Sequence, residues 1–182
     1  MCIFLISLAT ADRNSEVHSF LRGNRHVTFG ENLEWVRIVP NVSILEKNES
    51  PANRRKAFVF KALKVKGRHS PVCPVFCLSE FWKASKDFNS KFLFINPRSG
   101  RPCSKFVLAQ MLVRNVKWAC PGYFPRSHDV RKVSGSKAFL ARMSMRHILK
   151  RGSWKSGKVF DNQYLAKSFL GKRRYVVMGS SA

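Results

Sequence analysis

The sequence predicts an α+β domain in which a helical stretch and a small antiparallel three-stranded sheet precede a set of helices. Between residues 25 and 63, short runs of β-branched and aromatic residues alternate with polar ones, which is typical of strands. From residue 75 onward, apolar residues recur at helical spacing. At 182 residues and 45% hydrophobic, the chain is long and apolar enough for one folded domain.

The N-terminal third is predicted to contain one interrupted helix and three strands. Residues 2–22 are apolar at helical spacing, and we expect the helix to bend or break near Asp12. The three strand-like runs then lie at 26–29, 35–39 and 57–60.

The remainder is predicted to be mostly helical. Leu78, Phe81 and Trp82 share one face of the first of these helices. Ser127 and Ser144 are predicted N-caps of two later ones, because a hydroxyl there accepts a bond from an unpaired backbone N–H. The predicted order is a helix over 75–88, a buried run over 92–95, a loop over 96–102, and helices over 105–119, 128–140, 145–151 and 160–170.

The charge of the chain indicates a polyanionic partner. There are 34 Lys and Arg residues against ten Asp and Glu, a formal net charge of +24. A compact domain with this charge repels itself, and nucleic acid is the usual polyanion that relieves the repulsion. A solvated basic face, a ribosomal protein and a membrane-surface protein remain alternatives, because charge alone does not separate them.

The cysteines favour a reducing compartment. Five scattered cysteines make a poor disulfide framework. Cys73 and Cys77 with His69 faintly suggest zinc, but no second ligand pair has suitable spacing, so we predict ordinary buried thiols and no metal. The apolar N-terminus has no preceding Lys or Arg, so it does not match a signal peptide. A secreted basic protein is retained only as an alternative.

Four residues in the C-terminal half form a spaced series. His128 and Arg131 are three residues apart and therefore share a face of the predicted helix. Trp154 follows His128 by 26 residues, and Tyr164 follows Trp154 by ten. Because the chain has only three tyrosines, Tyr164 at this position is a specific feature.

This series resembles the tyrosine recombinase (phage integrase) family, and most of all the recombinases of eukaryotic DIRS-type mobile elements. Upstream, Arg13 and Glu16 resemble the family's first-arginine motif. The family's lysine on a β-hairpin then corresponds to Lys47, with Lys56 and Lys61 as rivals. The resemblance covers roughly residues 5–168.

The resemblance implies a domain division and a location. It implies a catalytic domain over 1–170 and a basic tail over 171–182, with the family's N-terminal core-binding domain absent. Double-stranded DNA is the implied partner, with self-assembly on DNA and no membrane. The implied location is the nucleus in a eukaryote, otherwise the cytoplasm, and not the secretory route.

The resemblance also implies a role for each residue of the site. Tyr164 is the nucleophile that forms a 3′-phosphotyrosyl intermediate. Arg13 and Arg131 clamp the non-bridging oxygens, and Lys47 protonates the leaving 5′ oxygen. His128 accepts the tyrosine proton or holds the phosphate, and the Trp154 indole N–H donates to a phosphate oxygen. No metal or small-molecule cofactor is needed, because the cationic side chains stabilise the negative charge that a metal would otherwise stabilise.

Site-specific recombination or integration of DNA is therefore the expected function. Two other interpretations remain open from the sequence. One is a catalytically inactive DNA-binding remnant of a mobile-element recombinase, and the other is an unrelated basic secreted or ribosomal protein.

Overall fold

A computed structural model describes residues 1–41, 43–44 and 57–165 of the chain. Its helices are α1 Cys2–Thr10, α2 Asn14–His18, α3 Pro74–Ala84, α4 Lys105–Ala119, α5 Asp129–Leu140, α6 Met145–Arg151 and α7 Gly157–Gln163. Its strands are β1 Val27–Phe29, β2 Trp35–Ile38, β3 Phe58–Lys61, β4 Lys64–Val65 and β5 Arg68–His69. The predicted α+β class, mostly helical with a small sheet, is confirmed.

The three predicted strands form one antiparallel sheet in the order β1–β2–β3. Val36 on β2 lies opposite Phe29 on β1 and Phe60 on β3. Alternate residues of β2 and β3 are buried, as the alternating pattern predicts for a sheet with one face on the core.

A second, two-stranded hairpin formed by β4 and β5 was not predicted. Lys66 and Gly67 join its strands with φ angles of 49° and 76°, a pair of left-handed residues that suits a two-residue hairpin turn. Its strands have only two residues each, so no alternation of burial could reveal them.

Helix α1 is the centre of the helical layer. It contacts α3, α4 and α5, which explains why its sequence is apolar on all sides rather than along one stripe. The main core joins this helix to the inner face of the sheet. Its most deeply buried members include Ile6, Val17, Val36, Ile38, Val75, Leu78, Leu93, Leu108, Leu112 and Val130.

The predicted break near Asp12 is confirmed. Helix α1 ends at Thr10, and Ala11 takes a left-handed conformation with φ of 59°. Its backbone N–H bonds back to the Ser7 carbonyl, and α2 starts only at Asn14. This sharp exit turns the chain so that Arg13 lies beside the end of α1.

Several predicted helix boundaries were wrong. The N-terminal helical stretch, predicted to reach residue 22, ends with α2 at His18. Helix α3 stops at Ala84 rather than continuing to 88, because the Ser85 hydroxyl donates to the carbonyls of Phe81 and Trp82. The cap residue of α5 is His128 and not Ser127. Helix α7 begins at Gly157 because the Ser156 hydroxyl accepts a bond from the Val159 N–H.

Tyr164 therefore lies at the C-terminal cap of α7, and not within a longer helix as predicted. Residues 166–170 of that predicted helix, and the predicted tail at 171–182, lie outside the described residues. Among the described helices, none combines the length and apolar character needed to cross a membrane.

Candidate active site

Arg131 is the centre of the candidate site. It lies on α5, and only 1% of the residue is exposed. Its Nη1 donates to the carbonyl of Ala11 at 2.9 Å, and its Nη2 donates to the carbonyl of Gly152. These two residues are the C-caps of α1 and α6. Because helix C-termini carry partial negative charge, one guanidinium stabilises both helix ends and fixes them beside each other.

Two further side chains hold the end of α1 in place. Arg151, at the end of α6, donates from Nε to the Ala9 carbonyl at 2.9 Å and also from Nη2. The Ser134 hydroxyl on α5 donates to the Leu8 carbonyl at 2.6 Å. Burial lowers the pKa of Arg151. The last carbonyls of α1 are thus satisfied by side chains from α5 and α6, which sequence reasoning missed.

Glu16 joins the two predicted arginines. Its Oε1 lies 2.5 Å from Arg13 Nη1, and its Oε2 lies 3.6 Å from Arg131 Nη1. The Arg13 backbone N–H also donates to Oε2 at 2.5 Å. Burial, and then the nearby Arg13 charge, lower the pKa of Arg131, whereas the Glu16 charge acts in the opposite direction. The Glu16 carboxylate therefore offsets the repulsion between two neighbouring guanidiniums at a position where little water is present.

Two aromatic rings cover Arg131. The guanidinium carbon lies 4.9 Å from the centre of the Trp154 ring and 5.3 Å from the centre of the Tyr164 ring. The two rings are themselves 5.0 Å apart. Such contacts between a cation and ring faces are favourable, more so when water is excluded. Tyr164 is placed by its backbone, which donates to the Phe160 carbonyl and accepts from the Ser136 hydroxyl.

Two N–H donors of this cluster are buried without a partner. Neither Arg131 Nε nor the Trp154 indole N–H has a hydrogen bond to any residue that the structure describes. Buried donors of native proteins are nearly always paired, so unpaired ones mark a place where a ligand, water or ion fits. One donor belongs to the guanidinium and the other to the indole of the same contact, and each is suited to an anionic oxygen.

His128 is joined to this cluster through the backbone of α5, because its carbonyl accepts a bond from the Arg131 N–H at 3.1 Å. Its ring is exposed, and the residue caps α5 one helical turn before Arg131. The start of α5 is fixed by Asp129, whose Oδ2 accepts bonds from the Tyr123 hydroxyl at 3.0 Å and the Arg126 backbone N–H at 2.8 Å.

The predicted site residues are thus brought together in part. Arg13, Arg131, Trp154 and Tyr164 form one contact cluster. Lys47 and its rival Lys56 lie outside the described residues. Lys61, the other rival, is exposed at the end of β3.

Among the described residues, the cysteines and other metal-binding residue types do not gather into a site. All five cysteines are free thiols. Cys73 is buried and accepts a bond from the Leu63 backbone N–H, and its sulfur lies 4.0 Å from His69 Nδ1. In the part of the chain that the structure describes, no group of three or more His, Cys, Asp and Glu side chains is placed to hold a metal ion.

A glycine fixes the position of the indole. A Cβ added at Gly152 would lie 2.3 Å from the Trp154 ring, although the backbone there suits any residue. We expect Gly152→Ala to displace the indole and to cost about 1–3 kcal/mol of unfolding free energy. Thermal unfolding measures this cost. Gly122→Ala is the matched control, because a Cβ added there meets nothing within 4 Å. We expect wild-type stability in Gly122→Ala and a loss of stability in Gly152→Ala.

Comparison with known proteins identifies the fold. No protein-family model matches the sequence, and no curated protein matches it significantly. Two solved structures of the XerH site-specific recombinase bound to difH DNA do match, a pre-cleavage complex with a TM-score of 0.59 and a post-cleavage complex with a TM-score of 0.60. Identity is 14% in both, over 85% and 92% of this chain.

The chain covers 39% and 44% of those recombinase chains, so it spans about two fifths of their length. At this identity the likeness concerns the fold and not the activity. The described chain thus has the fold of a tyrosine recombinase catalytic domain, mostly helical with a small antiparallel three-stranded sheet.

Proposed function

We propose that this chain is the catalytic domain of a tyrosine recombinase that cleaves and rejoins double-stranded DNA. The observation that carries the proposal is the buried contact of Arg131 with Trp154 and Tyr164, which includes two N–H donors without a partner among the described residues. The solved recombinases of the same fold are complexes with a DNA substrate before and after cleavage. The +24 charge of this chain is suited to the same polyanion.

The proposed reaction is a transesterification at one phosphodiester. The Tyr164 hydroxyl oxygen attacks phosphorus, and the bond from phosphorus to the 5′ oxygen breaks. The product is a 3′-phosphotyrosyl ester and a free 5′ hydroxyl. The phenol proton passes to His128, and the leaving oxygen takes a proton from Lys47. The reverse attack by a 5′ hydroxyl rejoins the strand and releases Tyr164.

The cations of the site would stabilise the charge that develops on the non-bridging oxygens. Both Nη atoms of Arg131 already bond to helix-end carbonyls. Its Nε and the Trp154 N–H, which have no partner among the described residues, can donate to a phosphate oxygen. Arg13, with 20% of its side chain exposed, supplies the second guanidinium from the solvent side.

The covering of Arg131 implies an order of events. In the described conformation, Arg131 is shielded by the rings of Trp154 and Tyr164. Arg131 Nε is buried in this conformation, so a phosphate reaches it only after a covering side chain moves. We therefore propose that DNA binding displaces Tyr164 from this contact and brings its hydroxyl to the phosphorus.

The wider setting follows from the sequence resemblance. We propose that residues 1–170 form the catalytic domain, that Lys47 is the general acid, and that copies of the chain assemble on DNA. We also propose integration of a DIRS-type mobile element in a eukaryotic nucleus as the biological role. A DNA-binding remnant without cleavage activity is the second candidate, and the masking of Arg131 is the observation that favours it.

A covalent-trapping experiment tests the proposal. The full chain is incubated in EDTA with a pool of nicked duplexes of randomised sequence, whose short cleaved strand diffuses away and prevents rejoining. We expect a protein–DNA adduct that survives SDS, located by mass spectrometry in the tryptic peptide 159–167, which contains Tyr164 as its only tyrosine.

Other outcomes of the trapping experiment favour the alternative functions. Salt-dependent duplex binding without an adduct indicates the inactive remnant. Neither binding nor an adduct indicates an unrelated basic protein. An adduct on a different residue contradicts the assignment of Tyr164.

A further inference from the structure

The loop over residues 120–127, between α4 and α5, displays aromatic side chains to solvent. Phe124 is 89% exposed, the most exposed large hydrophobic residue among those described, and Tyr123 is 50% exposed. Trp118, on the last turn of α4, is 77% exposed. Single exposed apolar residues are ordinary, but three aromatic residues within seven positions mark a binding surface.

The loop is held in place by hydrogen bonds. Asp129, only 7% exposed, accepts from the Tyr123 hydroxyl and from the Arg126 backbone N–H. The Asp129 N–H donates in return to the Arg126 carbonyl at 3.0 Å, and the Tyr123 N–H donates to the Cys120 carbonyl at 3.0 Å. One carboxylate therefore fixes both sides of Phe124, and Pro125 restricts the chain between them.

The loop leads directly into the proposed active site. His128 follows Arg126 by two residues, and Arg131 follows His128 by one helical turn. Arg126 and His128 are both exposed. The Asp129 charge is buried and lies 3.7 Å from Lys132 Nζ, so it does not present a negative charge to a polyanion.

We propose that residues 123–126 form a DNA contact adjacent to the cleaved phosphate, in which Phe124 packs against a base or sugar and Arg126 pairs with a backbone phosphate. This inference rests on the proposed function, and it adds the contact that places the duplex. An aromatic ring flanked by cations is how proteins combine stacking or wedging with phosphate neutralisation. Asp129 is a positioning residue, because it acts on DNA only through the loop.

Charge favours DNA over a protein as the partner of this surface. The chain carries an excess of 24 positive charges, and the exposed Lys117 and Arg126 lie on either side of Phe124 along the sequence. Cations in this arrangement suit a duplex backbone.

Duplex affinity measured across a salt series tests the inference. We expect Phe124→Ala to weaken binding about tenfold without changing the salt slope, because stacking displaces no counterion. We expect Arg126→Ala to reduce the salt slope by about one, because one phosphate contact is lost. Phe124→Trp is expected to keep near wild-type affinity, since its ring also stacks.

Phe106→Ala is the matched control, because Phe106 is 69% exposed at the other end of α4, about 20 Å away along the helix. Its affinity is expected to equal that of the wild type. If Phe124→Ala binds as tightly as Phe106→Ala, or if both weaken equally, the inference is wrong. A wild-type chain that forms the adduct while Phe124→Ala binds normally refutes only the loop contact. A wild-type chain that does not bind DNA refutes both proposals.

Discussion

Replacing Tyr164 with phenylalanine is expected to abolish the covalent protein–DNA adduct while leaving folding and duplex affinity close to those of the wild type. The hydroxyl oxygen is the proposed nucleophile, and no other atom of the side chain takes part in the bond exchange. The ring contacts with Arg131 and Trp154 depend on the aromatic face, which phenylalanine retains. The backbone bonds that place residue 164 are also unchanged.

The measurements are adduct yield on the nicked pool, duplex affinity and thermal unfolding, each on the same preparation. Tyr175→Phe is the matched control, because it removes the same hydroxyl from a tyrosine 11 residues further along the chain. We expect this control to form the adduct at the wild-type level. An adduct that persists undiminished in Tyr164→Phe contradicts the nucleophile assignment, whereas an adduct lost in Tyr175→Phe alone transfers that role to Tyr175.

Local patterns in the sequence were sufficient for most of the fold. The three strands were predicted because each carries alternating burial that a periodicity argument detects, as in β2 with Val36 and Ile38 inward. The break after α1 was also predictable, since Asp12 and Arg13 interrupt an apolar run. The spacing in the C-terminal half was sufficient to single out Arg131, Trp154 and Tyr164, whose side chains meet in the structure.

The parts that were missed depend on contacts between distant segments. Arg151 bonds to a carbonyl 142 positions earlier, and Ser134 bonds to one 126 positions earlier, and no local pattern records either bond. The helix ends at Ser85 and Ser156 depend on which hydroxyl finds a backbone partner, a choice made by tertiary packing.

The burial of the Arg131 side chain could also not be predicted from the sequence. An arginine in a chain with 34 basic residues is expected to be solvated. Its burial follows from the two helix-end carbonyls and the Glu16 carboxylate, which together replace its hydration.

Replacing Arg131 with lysine is expected to cause the largest combined loss of stability and activity. A lysine ammonium concentrates its donors on one atom, so it does not span the carbonyls of Ala11 and Gly152 as the planar guanidinium does. Leaving one buried carbonyl unpaired costs about 1–3 kcal/mol of unfolding free energy. The donor that Nε offers to a phosphate oxygen is lost as well, and we expect cleavage to fall by about 10²- to 10³-fold.

Two matched variants separate catalysis from folding. Arg146→Lys makes the same change on the exposed first turn of α6, and we expect wild-type stability and cleavage. Arg151→Lys weakens a part-buried bond to the Ala9 carbonyl, but Arg151 has no contact with Trp154 or Tyr164 among the ring contacts of the described residues. We therefore expect it to lose stability to a similar degree and cleavage to a smaller one. If the Arg131 and Arg151 variants lose cleavage equally, with rates measured below both unfolding transitions, Arg131 acts through the position of the helix ends rather than on the phosphate.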